Sequence, residues 1–140
     1  MKAIRTGTVL MAALLSTSLL PAQMEDRPIL SVSVPFAFTV ENTRMPAGEY
    51  IVSVIYRDHL WKLSTVDHKA NVLLRVSPDF GNGTLPDTQL IFLHYPTDYV
   101  LSQISDRDMD VIATVYAGKR ARQLASFSTS ELVMIKGKAF

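Results

Sequence analysis

Three aspartates alternate along one short polar stretch of the chain, at Asp106, Asp108 and Asp110. Carboxylates at this spacing are typical of calcium loops, which take ligands from alternate positions. An EF-hand loop counted from Asp106 also requires glycine at its sixth position and a bidentate glutamate at its twelfth. Val111 and Ala117 occupy those positions, so we predict a solvated hairpin turn, with a looser oxygen-ligand site as the alternative.

The chain has three histidines, His59, His68 and His94, and none lies four residues from another. The sequence contains no His-Glu-x-x-His helix, no Gly-x-Ser-x-Gly elbow and no glycine-rich phosphate loop. We therefore predict no catalytic residue, no metal ligand and no cofactor, and we interpret the chain as a non-enzymatic protein. An envelope hydrolase is the alternative, and it needs His59 or His94 beside a serine or carboxylate in a cleft.

Contacts with a partner are expected at two polar segments or at a sheet edge. Lys119, Arg120 and Arg122 form a basic cluster on the one helix-like segment, residues 118–126. Three charges make a weak, salt-screened field, so a solvated helix face is favoured over docking onto an acidic partner. Residues 77–87 are the longest irregular stretch, and loops of that length are uncommon unless they have a function. An exposed sheet edge is the third expected contact.

The segments that must hold these residues read as β-strands, because apolar side chains recur at every second position. Residues 31–40 alternate most clearly and predict one half-buried strand, in which Pro35 marks an edge or a bulge. About eight strands and one short helix near the C-terminus predict an all-β fold, either an antiparallel β-sandwich or a small barrel. The other predicted strands cover residues 49–56, 59–66, 71–76, 88–95, 98–104, 111–116 and 131–136.

Aromatic side chains raise the question of what the interior of this β-domain holds. Tyr50 and Tyr56 share one predicted strand face with two valines between them. Such residues line ligand grooves in some proteins, but cross-strand packing favours a place in the core for at least one of them. A barrel with an empty apolar interior would instead indicate a small-molecule or lipid carrier, which is an alternative function.

The first 22 residues read as a secretory signal-peptide helix rather than as part of the fold. Lys2 and Arg5 precede a largely apolar run over residues 8–20, and Pro21-Ala22 offers a small residue for cleavage. The run is shorter than the ~20 apolar residues of a membrane-spanning helix. We therefore expect cleavage near Ala22, a single β-domain over residues 23–140, and a secreted or periplasmic protein without a stable membrane span.

Composition narrows the class of partner. The 140 residues include 14 Lys+Arg, 13 Asp+Glu and no Cys. A net charge near zero argues against nucleic acid as the partner, and the lack of cysteine excludes disulfides and thiolate catalysis. Export without cysteine fits a bacterial periplasm or exterior. The partner stays unknown, and a protein or polysaccharide of the cell envelope is the expected class.

Three blocks of sequence carry a family resemblance. They are Val-Pro-Phe-Ala-Phe at 34–38 before Pro-Ala-Gly-Glu-Tyr at 46–50, Leu-Ile-Phe-Leu-His-Tyr at 90–95 before Asp-Tyr-Val-Leu-Ser-Gln-Ile at 98–104, and Gly-Lys-Arg-Ala-Arg-Gln-Leu-Ala at 118–125. In this order they resemble small exported proteins of acidobacteria and related soil bacteria, which have no assigned function. Met45 stands where leucine is usual, and Ala121 where an acidic residue is common. The resemblance implies export and a β-rich domain, and it implies no reaction.

Overall fold

The computed structural model describes residues 26–140, and the predicted signal peptide lies outside that range. The described residues form ten β-strands and one α-helix, which confirms the predicted all-β class with a short helix near the C-terminus. In chain order the elements are β1 Arg27–Val34, β2 Phe38–Val40, β3 Thr43–Met45, β4 Gly48–Tyr56, β5 Leu60–Thr65, β6 Asn71–Phe80, β7 Gln89–Tyr95, β8 Asp98–Asp106, β9 Val111–Val115, α1 Lys119–Phe127 and β10 Glu131–Ala139.

Eight of the strands close into an antiparallel barrel, so the barrel is the correct one of the two predicted architectures. Their order is β8, β7, β10, β1, β4, β5, β6 and β9, and β9 pairs back onto β8. Closure depends on long strands that change partners along their length. β6 leaves β5 after Arg75 and pairs with β9 from Val76 onward. β10 leaves β7 after Lys136 and pairs with β1 from Gly137 onward.

The barrel interior is filled by the inward-facing side chains of its strands. Trp61, Tyr50, Phe38 and Phe92 are fully buried in one core cluster. The ring of Phe38 meets those of Tyr50 and Phe92 edge to face, with centroids 5.3 and 5.2 Å apart. Tyr50 therefore confirms that at least one of the two paired tyrosines packs in the core, whereas Tyr56 is exposed. These edge-to-face contacts place the aromatic rings together in one apolar core.

The prediction of a single strand over residues 31–40 is wrong at its centre. β1 ends at Val34, the chain leaves the sheet at Pro35, and β2 begins at Phe38. Proline has no N–H to donate to a hydrogen-bond ladder, so the ladder of β1 stops there. The break lets β2 pair in parallel with β8, which is far from β1 around the barrel, and form a short hairpin with β3. The alternating pattern did not predict β3.

The predicted irregular stretch over residues 77–87 begins too early. β6 continues to Phe80, and Pro78 lies in its ladder with β9, opposite Ala113. Because β6 pairs with β5 only as far as Arg75, its second half is a separate ladder that the spacing of apolar residues did not reveal. The loop between β6 and β7 is correspondingly shorter and covers residues 81–88.

β10 also continues beyond its predicted end and reaches Ala139. Gly137 makes the extension possible, because a Cβ atom there would lie 2.7 Å from the carbonyl oxygen of Ser31 on β1. Only glycine leaves room for β1 and β10 to approach so closely at this position. Gly137 thus marks the point at which β10 changes partner from β7 to β1.

α1 packs on the outer face of β7 and β8, where it covers an apolar part of the barrel wall. Its buried residues, Ala121 and Leu124, are three positions apart and therefore share one side of the helix. They form a second apolar cluster with Tyr95 and Val100, and Leu93 packs against its margin. Within residues 26–140, no helix is both long and apolar enough to cross a membrane.

Candidate functional site

The three alternating aspartates do not converge on one point. Asp106 is buried and accepts a hydrogen bond from the Thr88 hydroxyl at 3.1 Å. Burial raises the pKa of Asp106, and the Thr88 hydrogen bond opposes part of that rise. Asp108 lies in the turn between β8 and β9. Among residues 26–140, no three histidine or acidic side chains come together as a metal site would require.

Asp110 instead ties the β6–β7 loop to the β8–β9 turn. Its carbonyl oxygen accepts a hydrogen bond from the Gly81 N–H at 2.8 Å, and its Oδ2 accepts one from the Gly83 N–H at 3.3 Å. Both glycines have a positive φ, which L side chains rarely adopt. Asp110, the last of the three alternating aspartates, therefore fixes the β6–β7 loop, one of the expected contact sites, through hydrogen bonds to its two glycines.

The three histidines lie on separate elements. His59 is exposed in the turn before β5, where its Nδ1 is 2.6 Å from Asp58 Oδ1, and its ring stacks on Tyr56 at 5.1 Å. His68 is exposed in the next turn with a φ of 60°. His94 lies on the inward face of β7, on the side of the buried Leu90 and Phe92. The Asp58–His59 pair is solvent-exposed and in no cleft, so it lacks the setting that hydrolysis needs.

His94 belongs to a stack of rings at one end of the barrel. The Tyr99 ring lies between His94, at 4.1 Å, and Phe36, at 3.7 Å, and all three planes are nearly parallel. Phe36 also meets the buried Phe92 edge to face at 5.0 Å. Because Tyr99 has both of its faces covered, the stack packs the barrel end and does not present an aromatic platform to a sugar ring.

One residue of the predicted basic cluster, Arg120, anchors α1 to the barrel. Its Nε lies 3.7 Å from Asp98 Oδ2, while Arg44 Nη1 lies 3.3 Å from Asp98 Oδ1. The Thr39 hydroxyl donates to the same carboxylate at 3.2 Å. The Asp98 side chain is only 5% exposed, so these hydrogen bonds and ion pairs satisfy a buried charge. The sequence analysis did not single out Asp98, which joins β2, β3, β8 and α1.

The start of α1 is fixed by its backbone rather than by charge. The Lys119 N–H donates to the Asn42 side-chain oxygen at 3.0 Å. A Cβ atom on Gly118 would lie 2.4 Å from the carbonyl group of Glu41, so only glycine allows this approach. Arg122 lines a small cavity of about 130 Å³ beneath the helix. The basic cluster therefore divides into one anchor and two residues near the helix start, instead of forming a single docking face.

Two larger grooves open at the barrel surface, and the lining of the first includes the buried residues Val32 and Tyr50. The first, of about 300 Å³, lies where β10 meets β1 and β4, and its lining includes Ser33, Glu49, Lys136 and Lys138. The second, of about 460 Å³, lies beside it against the turn before β4 and the turn after β5. Both have mixed polar and apolar linings without a catalytic cluster.

An apolar surface beside the first groove was missed by the sequence analysis. On β10, Leu132 and Met134 point outward and are 65% and 59% exposed. Opposite them on β7 lie Leu93 and Ile91, which are only half-buried. We call these four residues the outer patch. Alternation within residues 131–136 assigns Leu132 and Met134 to one face, but alternation alone does not indicate which face of the strand is the outer one.

No protein-family model, no curated protein and no solved structure matches this chain. The function proposed for the outer patch therefore rests on the geometry of this chain alone.

Proposed function

We propose that this chain is an exported, non-enzymatic domain that binds a protein of the cell envelope through the outer patch. The observation that carries the proposal is the exposure of Leu132 and Met134, which are 65% and 59% accessible on adjacent outward positions of β10. Contiguous exposed apolar side chains on a soluble domain are typical of interaction surfaces, whereas single exposed ones are common everywhere.

Burial of the outer patch supplies a driving force of useful size. Full burial of a leucine or methionine side chain is worth about 1.5–3 kcal/mol. Leu132 and Met134 retain more than half of their accessible surface, so a partner that covers both gains several kcal/mol before the costs of association. Leu93 and Ile91 widen the apolar area toward β7, and Lys136 and Gln89 provide a polar margin on the same outward face.

The rival functions have less support. A carrier needs an enclosed apolar cavity, and ligand pockets usually measure ~300–1,000 Å³. The barrel interior is filled by Trp61 and its neighbours, and the apolar cavity beneath α1 is only about 130 Å³. A polysaccharide would be held by a group of exposed aromatic faces, but Tyr99 is covered on both sides, and the exposed rings of Tyr56, Tyr116 and Phe127 lie at the ends of three different elements. A protein surface is the class of partner that matches exposed aliphatic side chains.

Site-specific photo-crosslinking in cells that export the protein tests the proposal. A photoreactive phenylalanine analogue replaces Leu132 in one variant and Leu73 in a matched control. Leu73 is also an outward-facing leucine, 52% exposed on β6, but it lies outside the outer patch. We expect Leu132 to label one envelope protein that Leu73 does not label.

The labelled protein is then identified, and the Leu132→Ser variant is used as a competitor. Equal labelling from positions 132 and 73, or labelling that unlabelled wild-type protein does not compete away, would contradict binding through the outer patch. A Leu132→Ser protein that competes as well as wild type would contradict it too.

A further inference from the structure

The β6–β7 loop contains an asparagine followed directly by a glycine, at Asn82 and Gly83. The asparagine side chain is an amide, and its Cγ atom is an electrophile within reach of the backbone nitrogen of the next residue. Glycine has no Cβ atom to hinder that approach. Asn82, Gly83 and Thr84 are all exposed, so water reaches the segment as well.

The side-chain carbonyl of Asn82 is held by two donors from a single residue. Its Oδ1 accepts a hydrogen bond from the Thr84 hydroxyl at 2.7 Å and another from the Thr84 N–H at 3.0 Å. The bond from the N–H two residues further on forms an Asx turn, which fixes the side chain against its own backbone. Two donors on this oxygen also stabilise negative charge that develops on it.

The backbone nitrogen of Gly83 faces a carboxylate from another part of the chain. Its N–H donates to Asp110 Oδ2 at 3.3 Å, across 27 positions of sequence. The other oxygen, Asp110 Oδ1, is buried and has no hydrogen-bond partner within residues 26–140. Among those residues, the Gly83 N–H is therefore the one donor to this carboxylate. A carboxylate within hydrogen-bond reach of a proton meets the geometric requirement for a general base.

We propose that Asn82 and Gly83 form a self-modification site, at which the asparagine side chain loses ammonia and closes to a succinimide. Thr84 and Asp110 are its catalytic residues, because each touches a reacting group. None of these residues belongs to the outer patch, and the proposal does not depend on the function proposed for that patch.

The reaction needs only these residues and water. Asp110 Oδ2 takes the proton of the Gly83 N–H, and the nitrogen forms a bond to Asn82 Cγ. The electron pair of the Cγ–Oδ1 double bond moves onto Oδ1, where the two Thr84 donors stabilise it. When that pair returns, the Cγ–Nδ2 bond breaks, and Nδ2 leaves as ammonia with the proton from Asp110. Water then opens the ring at either carbonyl and leaves aspartate or isoaspartate at position 82.

The product alters the contact between the β6–β7 loop and the β8–β9 turn. Position 82 gains a carboxylate directly before Gly83, whose N–H already donates to the Asp110 carboxylate. Nearby like charges repel one another, and the isoaspartate form also adds a methylene group to the main chain. We therefore expect the modification to weaken the bond from Gly83 to Asp110 and to loosen the loop.

Peptide mapping by mass spectrometry of the full chain, incubated at neutral pH, measures the reaction. The mass of the modified peptide rises by about 1 Da in ordinary water and by about 3 Da in oxygen-18 water. We expect Asn82 to react roughly tenfold or more faster in the folded protein than in guanidinium chloride, because folding positions the reacting groups. Asn71, an exposed asparagine on β6, is the internal control and should show no such acceleration. An Asn82 rate in the folded protein that equals or falls below the unfolded rate would overturn the proposal.

Two aspartate substitutions test the general base. Asp110→Asn keeps an oxygen that accepts the Gly83 N–H but does not take its proton, and asparagine tolerates the φ of 47° at this position. We expect the folded variant to react roughly tenfold or more slowly at Asn82 than wild type. Asp108→Asn, which removes a charge from the same turn, is the matched control and should react at the wild-type rate.

A rate in Asp110→Asn that equals or exceeds the wild-type rate would show that the bond only restrains Gly83, and it would overturn the role of Asp110 as a base. If the variant does not fold, the comparison of folded and unfolded wild type still decides whether the fold promotes the reaction.

Substitutions of Thr84 test the stabilisation of Oδ1. Thr84→Val removes the hydroxyl donor and keeps the shape of the side chain, and we expect it to slow the reaction roughly fivefold or more. Thr84→Ser keeps the hydroxyl and should stay near the wild-type rate. Equal rates in the two variants would overturn the role of the hydroxyl. Amide exchange at Gly83, measured by NMR before and after modification, should accelerate, and unchanged exchange would overturn the loosening of the loop.

Discussion

The outer face of β7 is apolar toward both of its neighbours, yet only one side is covered. Toward β8, α1 buries Val100 beneath Leu124 and Ala121. Toward β10, Leu132 and Met134 remain mostly exposed. The aliphatic chemistry of the two halves is alike, so apolar character alone does not decide where the helix lies. Polar contacts made by α1 fix the helix at the edge of the covered half, and the helix makes no such contact at the outer patch.

Those anchors are polar and come from distant parts of the chain. Arg120 of α1 reaches Asp98 on β8, and the Lys119 N–H reaches Asn42 after β2. Directional contacts of this kind fix the helix in one place, while apolar burial supplies the non-directional part of the free energy. The comparison therefore predicts that a substitution which removes an anchor destabilises α1 on the covered half and does not change the stability of β10 at the outer patch.

The largest effect is expected for Asp98→Ala. The substitution leaves Thr39, Arg44 and Arg120 without their shared acceptor, and we expect it to lower the free energy of unfolding by about 2–3 kcal/mol. Urea unfolding measures the loss, and amide exchange locates it. Protection should fall in α1 and be retained in β10. Asp79→Ala, at an exposed carboxylate on β6, is the control, and an equal loss in both variants would refute the anchor.

A smaller effect is expected from a pair of leucine substitutions that compares the two halves directly. Leu124→Ala removes a buried side chain beneath α1 and should cost about 2 kcal/mol of unfolding free energy. Leu132→Ala, in the outer patch, should change stability by no more than about 0.5 kcal/mol. Thermal and urea unfolding of both variants provide the test. A similar cost for the two would mean that the outer patch is covered within the folded chain.

The smallest effect is expected at Asp106, the second buried carboxylate of β8. Asp98 has two arginines, whereas among residues 26–140 no lysine or arginine forms an ion pair with Asp106. Burial raises the pKa of Asp106 above its ordinary value of 3.8, so the folded state binds the proton more tightly than the unfolded state. Its ionisation therefore lowers stability as the pH rises from the unfolded pKa through the folded one, and the loss persists above that range.

Asp106→Asn removes this charge and keeps an oxygen that accepts the Thr88 hydrogen bond. We expect the variant to gain stability relative to wild type at pH 7, and the gain to shrink toward about pH 4. Urea unfolding at both pH values measures the difference. A gain that grows on acidification would show that Asp106 is stabilised as the carboxylate in the folded state.

Local patterns predicted the parts of the fold whose partners are close in sequence. Alternation with short polar turns placed the β4–β5–β6 meander and the β7–β8 hairpin correctly, because each turn brings neighbouring strands together. The parallel pairing of β2 with β8 joins residues about sixty positions apart, at Thr39 and Val100, and nothing in the local sequence indicates it. The same is true of Asp98, whose partners Arg44 and Arg120 lie on β3 and α1.

The sequence by itself determined the all-β class, most strand positions and the short helix, because side-chain periodicity and turn residues act over a few positions. Only the tertiary structure decided that the strands close into a barrel, that α1 covers one half of an apolar face, and that β10 changes its partner from β7 to β1 at Gly137. These features depend on which distant strands share hydrogen bonds. Burial and backbone pairing between remote segments are set by the assembled chain, and a periodic sequence is compatible with several such assemblies.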